Sequence, residues 1–228
     1  MNQIPALDLI ALLLFFASLI GYGPVSRSGK LANRGIMNAI QKQRFKWIER
    51  MAAREMRMMD IQLLAVLSNA NTFFASTSVI VIGGMAAGFA SGDALKSEFE
   101  SLPLIVQSSP ALWHFKWVLL IGLFIFAFFK FAWAYRLTHY TAIMIGATPE
   151  PGDDDPEGRA AHVNQTAELA GIAAEHSNAG LRTYYFGIAA IGWFLHPIAL
   201  IIATIWVLII LIRREFWSNS FQIISGDS

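Results

Sequence analysis

The residues of this sequence that could carry chemistry are polar side chains placed inside long apolar stretches. Seven hydroxyl and amide residues fall among the eleven positions from Ser68 to Ser78, Lys130 follows a run rich in phenylalanine, and His196 precedes a proline in an aliphatic segment. Polar groups at membrane depth are costly and often mark pathways for ions or protons. The pattern therefore predicts either a polar lining for ions, protons or a small solute, or hydrogen bonds that hold helices together.

Two of these residues carry a titratable group. Lys130 lies six residues before Arg136, about 9 Å along a helix, so its ammonium group can reach the membrane boundary by snorkelling. His196 falls near the centre of the last apolar stretch, and its unperturbed pKa of about 6.5 suits proton transfer. A structural histidine, hydrogen-bonded across helices, is the competing interpretation.

The sequence offers no further set of residues that forms a catalytic, cofactor or metal signature. The absence of cysteine excludes disulfides, cysteine-ligated zinc and iron–sulfur clusters. A haem held by two histidines would need a dimer, since the other four histidines fall in loops or at the ends of apolar stretches. We therefore expect a protein that is not an enzyme and has no cofactor.

Four apolar stretches dominate the chain, at about 4–22, 63–89, 113–135 and 184–212. Each is long enough to cross a bilayer as a helix, which takes roughly 20 residues. The sequence predicts an all-α integral membrane protein, with one membrane domain over 1–228 and four transmembrane helices. The first stretch has no preceding basic residue and contains Asp8, so it is predicted to be a retained span rather than a signal peptide.

The connections at about 23–60 and 136–183 contain most of the positive charge. They hold twelve lysines and arginines, against four on the opposite side of a four-span scheme, and two of those four are Arg213 and Arg214. Basic loops stay in the cytoplasm, so the scheme predicts that both termini are extracytoplasmic. We expect the cell membrane, a bacterial inner membrane, as the location.

The first connection has the pattern of an amphipathic helix. Between residues 33 and 60, apolar residues recur at spacings of three, four and seven, with lysine and arginine on the other face. This helix could lie on the anionic leaflet or pack against another helix of the protein. The connection at 136–183 is predicted to contain a cytoplasmic helix rich in alanine, which covers Arg159–Asn178 and runs up to Gly180. The basic run of the first connection does not favour nucleic-acid binding.

Small residues in the second span suggest helix packing. Gly84 and Gly88 have the spacing that allows close approach of two transmembrane helices. The candidate positions at membrane depth are therefore two packing glycines and five polar residues: Asn69, Asn71, Ser76, Lys130 and His196.

Four strings of the sequence carry a family resemblance. They are NANTFFASTSVIVIGG at 69–84, FKFAWAYRLTHYTAIMIGATP at 129–149, NAGLRTYYFGIAAIGWFLHP at 178–197 and RREFWS at 213–218. With these strings the chain resembles a multi-pass membrane family of bacteria and plants known as domain of unknown function 599. The resemblance implies a multi-pass membrane protein and assigns no activity, although several recognisable positions coincide with the polar ones: Asn71, Ser76, Lys130, Arg182 and His196.

These observations favour a non-enzymatic protein that works by association. Its partners would be the lipid bilayer and either further copies of itself or another membrane protein, as an oligomer or an accessory subunit of a complex. The alternative is a small channel or carrier for ions or protons with a polar path along the second span. A weaker alternative is a redox subunit associated with haem or quinone.

Overall fold

The computed structural model describes residues 5–26, 35–101, 107–152 and 155–225. Residues 27–34 of the predicted first connection lie outside these ranges. Within them the chain forms helices and no strand, which confirms the predicted all-α class. The described ranges contain eight helices: α1 (Ala6–Ser26), α2 (Ile36–Ala52), α3 (Met58–Ala90), α4 (Gly92–Glu100), α5 (Pro110–Gly146), α6 (Pro156–Leu195), α7 (Pro197–Phe216) and α8 (Asn219–Ser225).

Four helical segments are long and apolar enough to cross a membrane. They are α1, α3, α5 and the segment 197–224 that begins with α7. Helices α3, α5 and α6 have 33, 37 and 40 residues, well above the roughly 20 that a bilayer core needs. Each of the three therefore extends well beyond the thickness of a bilayer core.

The predicted fourth span, 184–212, is not one helix. Helix α6 ends at Leu195 and α7 begins at Pro197, with His196 between them in extended backbone at φ −159° and ψ 144°. A proline disfavours helical backbone in the residue before it and lacks the N–H that a helix interior needs. The chain reverses here, because a Cβ on Gly192 would lie 3.4 Å from the backbone of Ala199. Pro197 thus begins the second arm of a helical hairpin.

Helices α5 and α6 run antiparallel along most of their length. At one end the rings of Trp113 and Phe194 lie 5.3 Å apart, and at the other a ring nitrogen of His162 lies 2.8 Å from the carbonyl oxygen of Met144. Helix α6 also continues through Gly180, where the sequence suggested that a cytoplasmic helix ends. The second half of α6 therefore lies beside the apolar part of α5.

The helix bundle has two distinguishable ends. We call them the His196 end, where α6 meets α7, and the basic end, where α7 finishes with Arg213 and Arg214 in its last turn. Asp8 of α1 accepts a 2.7 Å hydrogen bond from the indole of Trp193, so α1 begins at the His196 end. The hydroxyl of Tyr22 donates to the carbonyl oxygen of Leu211 at 3.1 Å, so α1 and α7 both finish at the basic end. The start of α1 and the finish of α7 therefore lie at opposite ends of the bundle.

Helix α2 packs against the protein with its apolar face. Ile48 and Met51 are completely buried, and they form a small core with residues of α3, α5 and α6: Leu64, Ile145, Val163 and Ala167. Of the two arrangements open for the amphipathic segment, the structure shows packing on protein helices. A second, larger core holds α1, α5, α6 and α7 together around Phe15, Phe186, Trp193 and Leu200.

Candidate functional site

Two glycines of α6 set the distance between α6 and α5. A Cβ on Gly180 would lie 2.7–2.9 Å from three ring atoms of Phe131, and one on Gly187 would lie 3.0 Å from the ring of Phe124. The α5 rings therefore rest directly on the backbone of α6, a close approach that small residues permit. Helix α1 packs on α7 and also reaches α6, so α1 and α5 flank α6 and leave a groove between them.

This lateral groove has a volume of about 720 Å³. Its floor is formed by Ala179 and Thr183 of α6, and its walls are apolar residues of α1 and α5: Phe16, Leu19, Ile20, Phe115, Val118, Leu119, Gly122, Leu123 and Phe126. Toward the basic end the lining becomes polar with Lys130, Glu175, His176 and Arg182. The groove is thus apolar along most of its length and charged at one end.

A second cavity, the basal cavity, lies at the basic end between α1, α2, α6 and α7. Its volume is about 480 Å³, and its lining includes three arginines and three glutamates: Arg44, Arg182, Arg214, Glu168, Glu175 and Glu215. Glu175 and Arg182 line both the basal cavity and the lateral groove, so the two spaces meet at these residues. Balanced charge of this kind suits a polar or zwitterionic group better than an apolar one.

Several lining residues of the basal cavity are held in place by hydrogen bonds. The carboxylate of Glu215, 7% exposed, accepts from the backbone N–H of Met37 at the start of α2, where a negative charge is favourable. Gln41 donates to the carbonyl oxygen of Ala167 at 3.0 Å and accepts from Arg44 at 3.2 Å. Burial lowers the pKa of the Arg44 guanidinium, whose ordinary value is high enough to keep it charged.

The His196 end holds a buried pair of opposite charges around one tryptophan. Asp8 is 5% exposed and accepts from Trp193, while the ammonium nitrogen of Lys116, 3% exposed, lies 5.3 Å from the Trp193 ring centroid. Lys116 also donates to the hydroxyl of Ser108 at 3.0 Å. The indole thus bridges an anion at its N–H and a cation at its face.

The predicted polar positions of α3 separate into two faces. Asn71 and Ser68 are buried in the seam with the other helices, and Oδ1 of Asn71 and Oγ of Ser68 have no hydrogen-bond partner among the described residues. Asn69 and Ser76 are exposed on the outer side of α3. The structure therefore does not bring Asn69, Asn71 and Ser76 together as one polar lining.

Lys130 lies where the lateral groove meets the surface of α5. Its ammonium nitrogen is 5.2 Å from the ring centroid of Phe126, and it lines both the groove and a shallower surface pocket beside Arg136. The carboxylate of Asp60, at the start of α3, accepts hydrogen bonds from the indole of Trp47 at 2.7 Å and from Arg54 at 3.3 Å, and so is not a partner of Lys130. Lys130 is thus a groove residue rather than half of a buried ion pair.

His196 lies in the turn between α6 and α7 and not at the centre of a span. Its Nδ1 accepts the backbone N–H of Ile198 at 3.0 Å, which caps the start of α7 and places a ring proton on Nε2 in the neutral side chain. The expectation of a histidine at mid-membrane depth rested on one continuous helix over 184–212. That expectation is wrong, because the chain reverses at this residue.

The predicted packing glycines differ in their surroundings. A Cβ on Gly88 would lie 2.7 Å from the ring of Trp117, whereas a Cβ on Gly84 would meet no atom within 4 Å. Within the chain, therefore, Gly88 packs against α5 and Gly84 faces outward. The predicted pair does not form one seam inside the chain.

The sequence alone does not indicate most of the residues that line the cavities. Tyr22, Arg44, Glu175 and Glu215 come from four different helices, and nothing in their local spacing links them. Asp8 and Lys116 did carry a signal, since both are charged residues inside apolar stretches. Among the described residues, no group of three or more histidine, aspartate and glutamate side chains is arranged to hold a metal ion.

Comparison with known proteins gives one family. The family model described as "Protein of unknown function, DUF599" matches residues 10–220. The chain belongs to this family. The match confirms the resemblance and covers every helix that forms the groove and the basal cavity. No curated protein and no solved structure shows significant similarity to the chain.

Proposed function

We propose that this DUF599 protein is a non-enzymatic membrane protein that works by association, with the outer face of α3 as the contact between copies. The observation that carries the proposal is the exposure of α3. In the most apolar 18-residue segment of α3, 6% of the residues are buried, whereas 33% are buried in the corresponding segments of α1 and α5. A helix this exposed contributes little to the core of one chain, and a second copy would cover it.

Polar groups on the outer face of α3 support this proposal. Ser76 lies between two contacts with α5, the stacked rings of Phe74 and Phe131 and the contact of Gly88 with Trp117, so it is level with the apolar part of the bundle. Ser76 and Asn69 are both exposed. In lipid such groups lack hydrogen-bond partners, and a hydrogen bond across a helix interface relieves this cost.

Small residues on the same helix favour close approach. Gly83 and Gly84 are exposed, and a Cβ on either would meet no atom within 4 Å. Small residues let two helix backbones approach closely enough for extensive van der Waals packing. This packing is a main source of helix association in lipid. The outer face of α3 thus combines polar side chains with open glycines.

The test is the mass of the purified protein in mild detergent, measured by native mass spectrometry or light scattering. We expect a dimer or larger oligomer for the wild type and a shift to monomer for Gly83→Leu and for Asn69→Leu. The matched control is Gly21→Leu, because Gly21 on α1 also faces open space. A monomeric wild type in nanodiscs and in detergent, without another protein bound, would refute association.

We also infer a five-pass topology with the basic end in the cytoplasm. The second half of α6 runs beside α5, and α7 returns beside α6, so the hairpin at His196 contributes two passes. Of the fourteen lysines and arginines among the described residues, eleven then lie at the basic end, including Arg213 and Arg214, and the His196 end carries Lys96 and Lys116. The positive-inside rule is better satisfied than in the four-span scheme.

A second candidate function is a carrier for a small polar solute. The observation that favours it is the basal cavity, whose charged lining is connected to the lateral groove at Glu175 and Arg182. Any such path follows α6 rather than α3, since the polar residues of α3 point to two different faces. The redox alternative relied on a mid-membrane histidine, and the position of His196 in a turn removes that support.

A further inference from the structure

We propose that the lateral groove, together with the surface of α5 that continues from it toward the basic end, binds one anionic membrane lipid. Its acyl chain would lie in the groove, and Lys130 and Arg136 would bind its phosphate group. The inference is independent of association through α3, because the groove and the α5 surface are lined by residues of α1, α5 and α6 and by none of α3.

The groove has the shape and lining of a site for a hydrocarbon chain. Aliphatic and phenylalanine side chains of two helices form its walls, and the small residues Ala179 and Thr183 form its floor. Gly122 leaves further room in the α5 wall, since a Cβ there would meet no atom within 4 Å. Ile20, Val118 and Phe126 are exposed at the rims, so the groove opens sideways, toward the lipid side of the bundle. A chain can therefore enter from the bilayer.

A patch on one side of α5 continues from the groove toward the basic end, and we call it the cationic pad because it contains Lys130 and Arg136. A surface pocket of about 770 Å³ is lined by Lys130, Trp133, Arg136 and Tyr140, whose spacings of three and four residues place them along one helix face. The pad and the groove share Phe126, Lys130 and His176. Headgroup and chain sites are thus continuous, with Lys130 at the junction.

Arg136 is held in a position suited to a phosphate. Its Nε donates to the hydroxyl of Tyr140 at 2.8 Å, and its guanidinium carbon lies 5.8 Å from the Tyr140 ring centroid. This contact uses one N–H and leaves the terminal nitrogens to donate, in the fork that matches phosphate oxygens. Trp133 and Tyr140 are exposed aromatic residues of the kind found at membrane interfaces.

The charge around the junction favours an anion. The groups facing it are the cations Lys130, Arg136 and Arg182, the carboxylate of Glu175, and His176. With His176 neutral, the balance is two positive charges. The pad also lies toward the basic end, which our topology places at the cytoplasmic leaflet, where anionic lipids concentrate and each nearby lysine or arginine contributes about 1 kcal/mol.

The experiment counts retained lipids by native mass spectrometry. The wild type is prepared in micelles doped with phosphatidylglycerol or with phosphatidylcholine, and we expect preferential retention of phosphatidylglycerol. Lys130→Gln and Arg136→Gln should each reduce that preference about fivefold, the effect of losing one nearby cation. Lys130→Arg should retain it. Lys42→Gln and Lys46→Gln are the charge-matched controls on the exposed face of α2.

A second pair of variants tests the chain site. Gly122→Leu should lower retention of both lipids by filling the groove, whereas Gly21→Leu should leave retention unchanged. Equal retention of both lipids by the wild type would overturn the proposal. So would a loss of preference in the α2 controls as large as that in the α5 variants, because the lipid would then respond to overall charge.

Discussion

At the scale of single residues, His196 joins two helices with one side chain. Its extended backbone ends α6, and its Nδ1 accepts the first free N–H group of α7. An oxygen or nitrogen acceptor at this position stabilises a helix by about 0.5–2 kcal/mol relative to alanine. The role depends on an acceptor and not on a titratable group.

The first prediction follows from this cap. His196→Ala should lower the stability of the protein by about 1 kcal/mol, and His196→Ser should restore most of it, because serine is a good N-cap residue. Thermal unfolding in a mild detergent measures both variants. If His196→Ser were as unstable as His196→Ala, the imidazole itself would be required for stability. Loss of a proton flux in vesicles containing the His196→Ser variant would show that the imidazole is required for transport.

The second prediction concerns Asp8. Asp8→Leu should lower stability by about 1–3 kcal/mol, because it leaves the buried N–H of Trp193 without its acceptor. Asp8→Asn keeps an acceptor and should cost less, although it removes a negative charge close to the buried Lys116. Denaturation monitored by tryptophan fluorescence checks the order. Equal stability of Asp8→Leu and the wild type would show that the network contributes nothing.

At the scale of helices, the contact of Phe131 with Gly180 determines how closely α5 and α6 pack. The third prediction is that Gly180→Ala destabilises the protein, although alanine is the better helix former by about 1 kcal/mol. The added Cβ would lie under 3 Å from the ring of Phe131. Gly21→Ala in α1 is the control, and it should be neutral or stabilising because its Cβ meets open space.

Thermal unfolding of the two glycine variants checks this prediction. Phe131→Leu should partly rescue Gly180→Ala by making room, whereas it should destabilise the protein when introduced alone. Equal effects of the alanine at positions 180 and 21 would contradict the close approach of α5 and α6.

The same helices show what could be predicted from the sequence. The spans of α1, α3 and α5 were predicted because each is a long apolar run, and α2 was predicted from its periodic apolar face. The sequence predicts the second half of α6 and α7 as one span, because their apolar residues form one run that is interrupted near its middle only by His196 and Pro197. Arg182 and Asn178 also lower its hydropathy, so length and composition alone do not mark it as a separate pass.

The positions of the site residues could be predicted less well than the helices. Whether Gly84 or Gly88 meets another helix depends on which face of α3 is turned inward, and small residues at that spacing carry no such information. The basal cavity is formed by residues from four helices whose arrangement follows from the reversal at Pro197. A proline predicted a disturbance there, but a kink and a full turn leave the same local sequence signal.

At the scale of the whole molecule, the hairpin at His196 determines which groups share an end of the bundle. It brings Arg214 and Glu215 to the end that also holds Arg44 and Arg182, and so creates the basal cavity. We propose that α6 and α7 cross the membrane in opposite directions. With five passes the two termini lie on opposite sides.

The most direct test is the accessibility of single cysteines in intact cells. The chain has no cysteine of its own, so each variant carries one thiol. With a membrane-impermeant thiol reagent, we predict that Glu98→Cys in α4 is labelled and that Lys42→Cys in α2 and Gln222→Cys in α8 are labelled only after lysis. Labelling of Gln222→Cys in intact cells, with Lys42→Cys protected, would contradict the hairpin as two passes and restore a four-span topology.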